Sequence, residues 1–192
     1  DGVTVVIKST VPIGTTDAFQ IKYSKLKILF NPEFLSDETA EKDYLNPDRQ
    51  IIGYTNESRD VASDVMLLLP PSLYDTAVPA KEAELLKYIN NLHGVLEIME
   101  ANHYWEVCQE EKLNYDTVKR IAEKATTQGP VMSPGQGRSY REIFHKGFRG
   151  IGGKCFPKDL ATWLDYCFDK KIDSRLFQAA SKMNQRILKE QR

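Results

Sequence analysis

Short apolar runs and polar breaks alternate along the first seventy residues. Val3 to Lys8 is a β-branched run and predicts a buried strand. Gly14 and Thr15 break it, and Thr16 to Ser24 predicts a short helix. Lys27 to Phe30 predicts a second strand, ending at Asn31-Pro32. Glu38 to Tyr44 predicts another short helix, and Gln50 to Tyr54 a third strand. Ser58 is placed to cap a helix running to Leu69, which Pro70-Pro71 stop. Strand alternating with helix is the signature of a layered α/β sheet.

After Pro79 the pattern changes. Ala80 to Lys112 contains no Pro and only Gly94. Its apolar positions recur at three and four: Leu85, Ile89, Leu92, Leu96 and Met99. This predicts one helix about 45–50 Å long, with Asn114 closing it, and a second helix from Tyr115 to Thr127. Gln128 to Gly153 is rich in Gly, Pro and Ser and predicts a loop, with a short helix at Tyr140 to His145. Two further helices are expected at Lys158 to Asp169 and Ser174 to Gln191. The two patterns divide the chain at 1–78 and 79–192. Neither an internal repeat nor a low-complexity tract is present.

Composition narrows the function classes. The 192 residues suffice for one domain with a real core or two small ones. A formal net charge of −1 without a basic patch argues against a nucleic-acid or anionic-membrane partner. Apolar runs such as Val65 to Leu69 are too short to span a bilayer. The opening residues do not read as a signal peptide. The three cysteines, Cys108, Cys155 and Cys167, share no C-x-x-C spacing, so neither a disulfide framework nor a zinc knuckle is expected. A thiol kept free for chemistry fits a reducing, cytoplasmic setting. His93, His103 and His145 are scattered as surface or packing residues, and no metal is assigned.

The densest chemistry lies in Gly152-Gly153-Lys154-Cys155-Phe156-Pro157-Lys158-Asp159. Pro157 suits the first position of a helix, whose apolar side is Leu160, Trp163, Leu164, Cys167 and Phe168. Cys155 then sits at the helix mouth, where the dipole favours negative charge. Lys154 and Lys158 add cations, and all three features favour the thiolate. The bland alternative is a helix start with a half-buried Cys.

This G-G-x-C-x-P-K-D stretch resembles the catalytic cysteine motif of the nucleotide-sugar 6-dehydrogenases, a family that includes UDP-glucose and GDP-mannose dehydrogenases. Three other stretches agree in order. They are Lys8-Ser9-Thr10-Val11-Pro12, Asn31-Pro32-Glu33-Phe34-Leu35 with Asn46-Pro47-Asp48-Arg49, and Ala83-Glu84-Leu85-Leu86-Lys87-Tyr88-Ile89-Asn90-Asn91. The expected fold is the second half of a Rossmann domain followed by a mainly α-helical central domain with a long connecting helix. The G-x-G-x-x-G turn that opens a dinucleotide fold is not in the sequence. The chain therefore reads as a fragment, without useful turnover by itself.

The resemblance implies oxidation of a sugar C6 alcohol to a carboxylate, with two NAD⁺ and one water consumed. It makes Cys155 the nucleophile. Lys87 and Asn91, one helical turn apart, stabilise an oxyanion. Thr10 and Asp159 work with a water as proton acceptor, and Glu33 assists thioester hydrolysis. Ser9 and Thr10 are expected to touch the cofactor. Glu33, Phe34, Leu35, Lys87, Asn91, Gly152, Gly153 and Lys158 are expected to touch the substrate. Each also has an ordinary reading: a strand-end hydroxyl for Thr10, an exposed cation for Lys87, a helix-start solvent residue for Lys158.

Three stretches depart from the family pattern. Asp37 replaces a frequent glutamate, Phe148-Arg149-Gly150-Ile151-Gly152-Gly153 stands where G-x-G-F-G-G is typical, and Asn102-His103 replaces an N-E pair. The implied substrate is UDP-glucose or a close relative, with GDP-mannose or a UDP-N-acetylhexosamine as alternatives. A homodimer formed through the long helix is also implied. A catalytically silent dimerisation module is the rival of a different class.

Overall fold

The computed structural model describes residues 2–35, 39–124, 140, 142–144 and 147–191. Asp37 and most of the predicted loop before 147 fall outside these; of the helix expected over 140–145, the described residues 140 and 142–144 form turns and irregular chain rather than helix. The chain forms two compact units, residues 1–90 and 91–192.

The first unit carries a four-stranded sheet in the order β1-β2-β3-β4: Thr4–Ile7, Lys27–Phe30, Gln50–Tyr54 and Asp75–Pro79. β1 pairs parallel with β2 (Thr4 opposite Lys27), β2 antiparallel with β3 (Leu29 opposite Tyr54), and β3 parallel with β4 (Gln50 opposite Asp75). Consecutive side chains alternate faces, so the uninterrupted apolar runs of β2 and β3 serve two cores. Leu29 and Ile52 pack on one face with Ala62, Val65 and Met66. Phe30 and Ile51 pack on the other with Ala83, Val78 and Leu86. Helix α3 (Ala62–Leu67) covers the first face, and the first turns of α4 (Ala80–Glu110) cover the second. Burying each of these large side chains contributes about 1.5–3 kcal/mol. Gly53 admits α4 at close range, since a Cβ there would stand 2.8 Å from Ala83 Cβ and 3.0 Å from Ala80 Cα.

The structure corrects several expectations. β1 is not a buried strand but an edge, with Val3 62% and Val5 38% exposed. β4 is an additional strand. Its D-T-A-V-P sequence has no apolar run, and its Pro is tolerated because edge strands need not donate on both sides. Ser58 does not cap a helix with its side chain. Its Oγ donates to Ile28 O at 2.7 Å and meets Thr55, while a 3₁₀ turn, Arg59–Val61, leads into α3. Two further helices, α1 (Thr15–Lys22) and α2 (Ala40–Leu45), complete this unit.

The second unit holds the rest of α4 with α5 (Tyr115–Ala122), α6 (Cys155–Asp169) and α7 (Arg175–Glu190). Asn114 does not close α4. Lys112, at φ 55, takes the left-handed position, and Leu113 N–H reaches Cys108 O at 2.7 Å, a Schellman ending. Asn114 instead caps α5, accepting from Thr117 N–H at 2.8 Å. Ala101, Cys108, Tyr115 and Ile143 form a core with Trp105 against it. Gly94 has a packing reason: a Cβ there would meet Phe156 Cζ at 2.8 Å and Tyr140 Cε2 at 3.1 Å. α6 starts at Cys155, so Pro157 is its third residue rather than its first. This is tolerated because N–H groups throughout the first turn lack intrahelical partners.

Candidate functional site

In the first unit, functional candidates gather after the strands. Ser9 is exposed and Thr10 half-buried, just beyond β1. Asn31, fully buried beyond β2, receives Lys8 Nζ at 2.5 Å on its Oδ1 and donates to Ile51 O at 2.9 Å. This ties the β1 end to β2 and β3. Burial lowers the Lys8 pKa, opposed by attraction to Glu33.

The segment that follows is held against α4. Buried Lys87 donates to Glu33 O at 2.6 Å, and its Nζ lies 5.7 Å from the Phe34 ring centre. The Arg49 guanidinium covers the same ring at 3.9 Å and donates to Asn90 Oδ1 at 3.1 Å. A cation over a ring face contributes about 0.5–2 kcal/mol. Glu33 itself is exposed, while Phe34 and Leu35 are half-buried.

One further residue escaped the sequence reading. Fully buried Glu84 accepts from Gly14 N–H at 2.5 Å, Thr16 N–H at 2.8 Å and Thr16 Oγ1 at 2.7 Å. A carboxylate at a helix N-terminus is favoured by the dipole, so Glu84 anchors α1 to α4 one turn before Lys87. Its presence in the quoted A-E-x-x-K stretch was the available signal.

In the second unit, Cys155 occupies the first residue of α6 and is exposed, whereas Cys108 and Cys167 are buried. Burial pushes the Cys167 thiol pKa up. Asp159, one turn after Cys155, is 1% exposed. Its Oδ2 accepts from Asn91 Nδ2 at 2.5 Å, while buried Oδ1 has no hydrogen-bond partner among the described residues. Exposed Lys158 stands 3.5 Å from that Oδ1, beyond a strong hydrogen bond. A buried oxygen left without a hydrogen bond in this way is costly. Gly153 is exposed, with φ 73, and Gly152 is half-buried against the Phe148 ring.

Asn91 and Asp159 are thus brought together in one unit, and Lys87 and Glu33 in the other. Ser9 and Thr10 supply hydroxyls just beyond the end of β1. They do not provide a pyrophosphate cradle, which needs a Gly-rich turn and helix N-terminus.

Two family models match the chain. Residues 1–68 match the UDP-glucose/GDP-mannose dehydrogenase family, NAD binding domain, and residues 81–186 match the central domain of the same family. The chain belongs to the UDP-glucose/GDP-mannose dehydrogenase family. The UDP-glucose 6-dehydrogenase of Rickettsia prowazekii is 30% identical over 187 residues, covering 94% of this chain and 40% of that protein. That of Rhizobium meliloti is 31% identical over 195 residues, covering 95% and 42%. The solved UDP-glucose dehydrogenase of Pyrobaculum islandicum matches with TM-score 0.78 and 26% identity, covering 96% of this chain and 41% of that one. The chain therefore spans about two fifths of the length of these relatives.

Proposed function

We propose that the chain is part of an NAD-dependent nucleotide-sugar 6-dehydrogenase that oxidises the C6 alcohol of UDP-glucose to the carboxylate of UDP-glucuronate. The observation carrying this reading is the exposed thiol of Cys155 one helical turn from a buried carboxylate with one oxygen open. Residues 1–78 supply part of the NAD domain, and residues 79–192 the central domain. The protein is read as a cytoplasmic homodimer.

Cys155 Sγ adds to the C6 aldehyde, forming a C–S bond, and remains attached at the thioester level until water displaces it. Covalent capture keeps the aldehyde from escaping. Asp159 serves as proton acceptor through a water, while Asn91 holds Oδ2 and fixes the carboxylate. Lys87 and Asn91 are the donors for negative charge developing on the C6 oxygen. Thr10 orders the proton-accepting water, and Glu33 assists hydrolysis. Glu33, Phe34, Leu35, Gly152, Gly153 and Lys158 position the sugar nucleotide. NAD, when bound, supplies the hydride acceptor for both oxidations, and Ser9 and Thr10 would hold its nicotinamide end.

The test is product analysis in the protein carrying these residues. One UDP-glucose should give one UDP-glucuronate and two NADH. Oxidation of a different nucleotide sugar, with UDP-glucose untouched, would refute the substrate assignment.

A further inference from the structure

We propose that Asn184 of α7 and Gln191, at the C-cap of that helix, are positioning residues for Cys155, acting through the backbone of the loop that leads into it. The proposal rests on the reading of Cys155 as the nucleophile. Asn184 Oδ1 accepts from Ile151 N–H at 2.6 Å, and its Nδ2 donates to Ile151 O at 3.1 Å. Gln191 repeats the pattern two residues upstream: Oε1 accepts from Arg149 N–H at 2.6 Å, and Nε2 donates to Arg149 O at 3.1 Å.

The spacing makes this a matched pair. Gln191, the C-cap of α7, follows Asn184 by two helical turns, so the two share a face. Arg149 and Ile151 are alternate residues. Each side-chain amide has both a donor and an acceptor, so it satisfies one residue's two backbone groups as a neighbouring strand would, without burying a charge.

The intervening residue is fitted to this arrangement. Gly150 has φ 84, and a Cβ there would stand 2.6 Å from Asn184 Oδ1. Glycine is required both for the backbone angle and for the close approach. The Arg149 side chain pins the same point from α4. Its Nη2 meets Glu106 Oε1 at 2.6 Å, its Nε meets Asn102 Oδ1 at 3.4 Å, and its guanidinium covers Trp105 at 4.2 Å. Main chain and side chain are therefore fixed a few residues before Cys155, with Gly152 and Gly153 bridging the fixed point to the helix start. Removing the clamp frees the α6 N-terminus to unwind and carries the sulfur away from the helix dipole.

Hydrogen–deuterium exchange and iodoacetamide labelling of the same chain test this in the wild type, Asn184→Ala and Asn184→Asp. The Asp variant keeps the acceptor for Ile151 N–H and loses only the donor. In Asn184→Ala, segment 149–155 should exchange about 5- to 30-fold faster, the range for losing one or two hydrogen bonds. Asn184→Asp should lie between Ala and wild type, with segment 95–108 of α4 unchanged in both. Labelling of Cys155 at neutral pH should slow about two- to fivefold in Asn184→Ala, the loss of a helix-terminus contribution. A residue that merely closed the fold would give faster labelling when removed. Unchanged exchange at 149–155 overturns the proposal, as does labelling that is unchanged or faster. Exchange raised throughout residues 91–191 in both variants also overturns it. None of these readouts requires turnover, so acid formation by a Cys155→Ser protein would remove the proposed function and leave this result standing.

Discussion

Asn91 donates its amide N–H to Oδ2 of Asp159 at 2.5 Å, although 68 residues separate them in the chain. Both side chains are buried. The bond fixes one oxygen of the carboxylate and leaves the other without a hydrogen bond among the described residues, facing the Lys158 ammonium at 3.5 Å. Asn91→Ala should therefore leave a buried carboxylate with less support and cost about 1–3 kcal/mol of stability. Urea unfolding measures this. If Asn91 also serves the C6 oxygen, kcat should fall by about 10²–10³ in the dehydrogenase. A variant as stable and as active as wild type would remove both roles.

Gly94→Ala pits propensity against packing. Alanine gains up to about 1 kcal/mol inside a helix. Its methyl would stand 2.8 Å from Phe156 Cζ and 3.1 Å from Tyr140 Cε2. Overpacking of this kind costs about 1–3 kcal/mol, so the variant should unfold at a lower temperature than wild type. Calorimetry showing a raised Tm would mean that the first turn of α6 yields easily at this contact.

Glu106 gives a pH signature. Its carboxylate receives Arg149 Nη2 at 2.6 Å and Arg186 Nη2 at 2.9 Å. Burial alone would raise its pKa, but hydrogen bonds from Arg186 and Arg149 outweigh it and leave the value lowered. A carboxyl whose folded-state pKa lies below its unfolded one adds stability above the unfolded value. That stability is lost as pH falls through the folded one. Glu106→Gln should destabilise the chain at pH 7 by about 1–3 kcal/mol and converge with wild type in acid. Parallel stability curves down to acid would contradict the ion-pair account.

Assembly is open to a direct check. On α4, Ile89, Tyr104 and Val107 are 55%, 44% and 46% exposed. A homodimer burying such residues between symmetry-related helices should sediment as one species at micromolar concentration. A monomer across the whole concentration range would remove the dimer from the account.

Much of the fold was legible because its cause is local. The apolar runs K-I-L-F and Q-I-I-G-Y gave β2 and β3 to the residue. The Pro-free apolar periodicity after Pro79 gave α4 within two residues. β4 was illegible because an edge strand with alternating exposure needs no apolar run. The start of α6 was misplaced because Pro is compatible with several first-turn positions. Ser58 was misassigned because its hydroxyl has a closer use on Ile28 O. At the site, motif resemblance singled out Asn91, Asp159 and Cys155. It did not reveal that Asn91 touches Asp159, nor that Asn184 and Gln191 hold Ile151 and Arg149. These contacts join residues 33 to 68 positions apart. Only the fold brings such positions together.

The central claim is that Cys155 carries the sugar as a covalent intermediate. Its most direct measurement is UDP-glucuronate formation by the Cys155→Ser dehydrogenase, alongside UDP-glucose binding by calorimetry. Binding should persist within a few fold of wild type, while acid formation falls by at least about 10³, the scale expected when a nucleophile is removed. Acid formation within about tenfold of wild type, one to two kcal/mol in barrier, would contradict the account and leave the thiol a bystander at the mouth of α6.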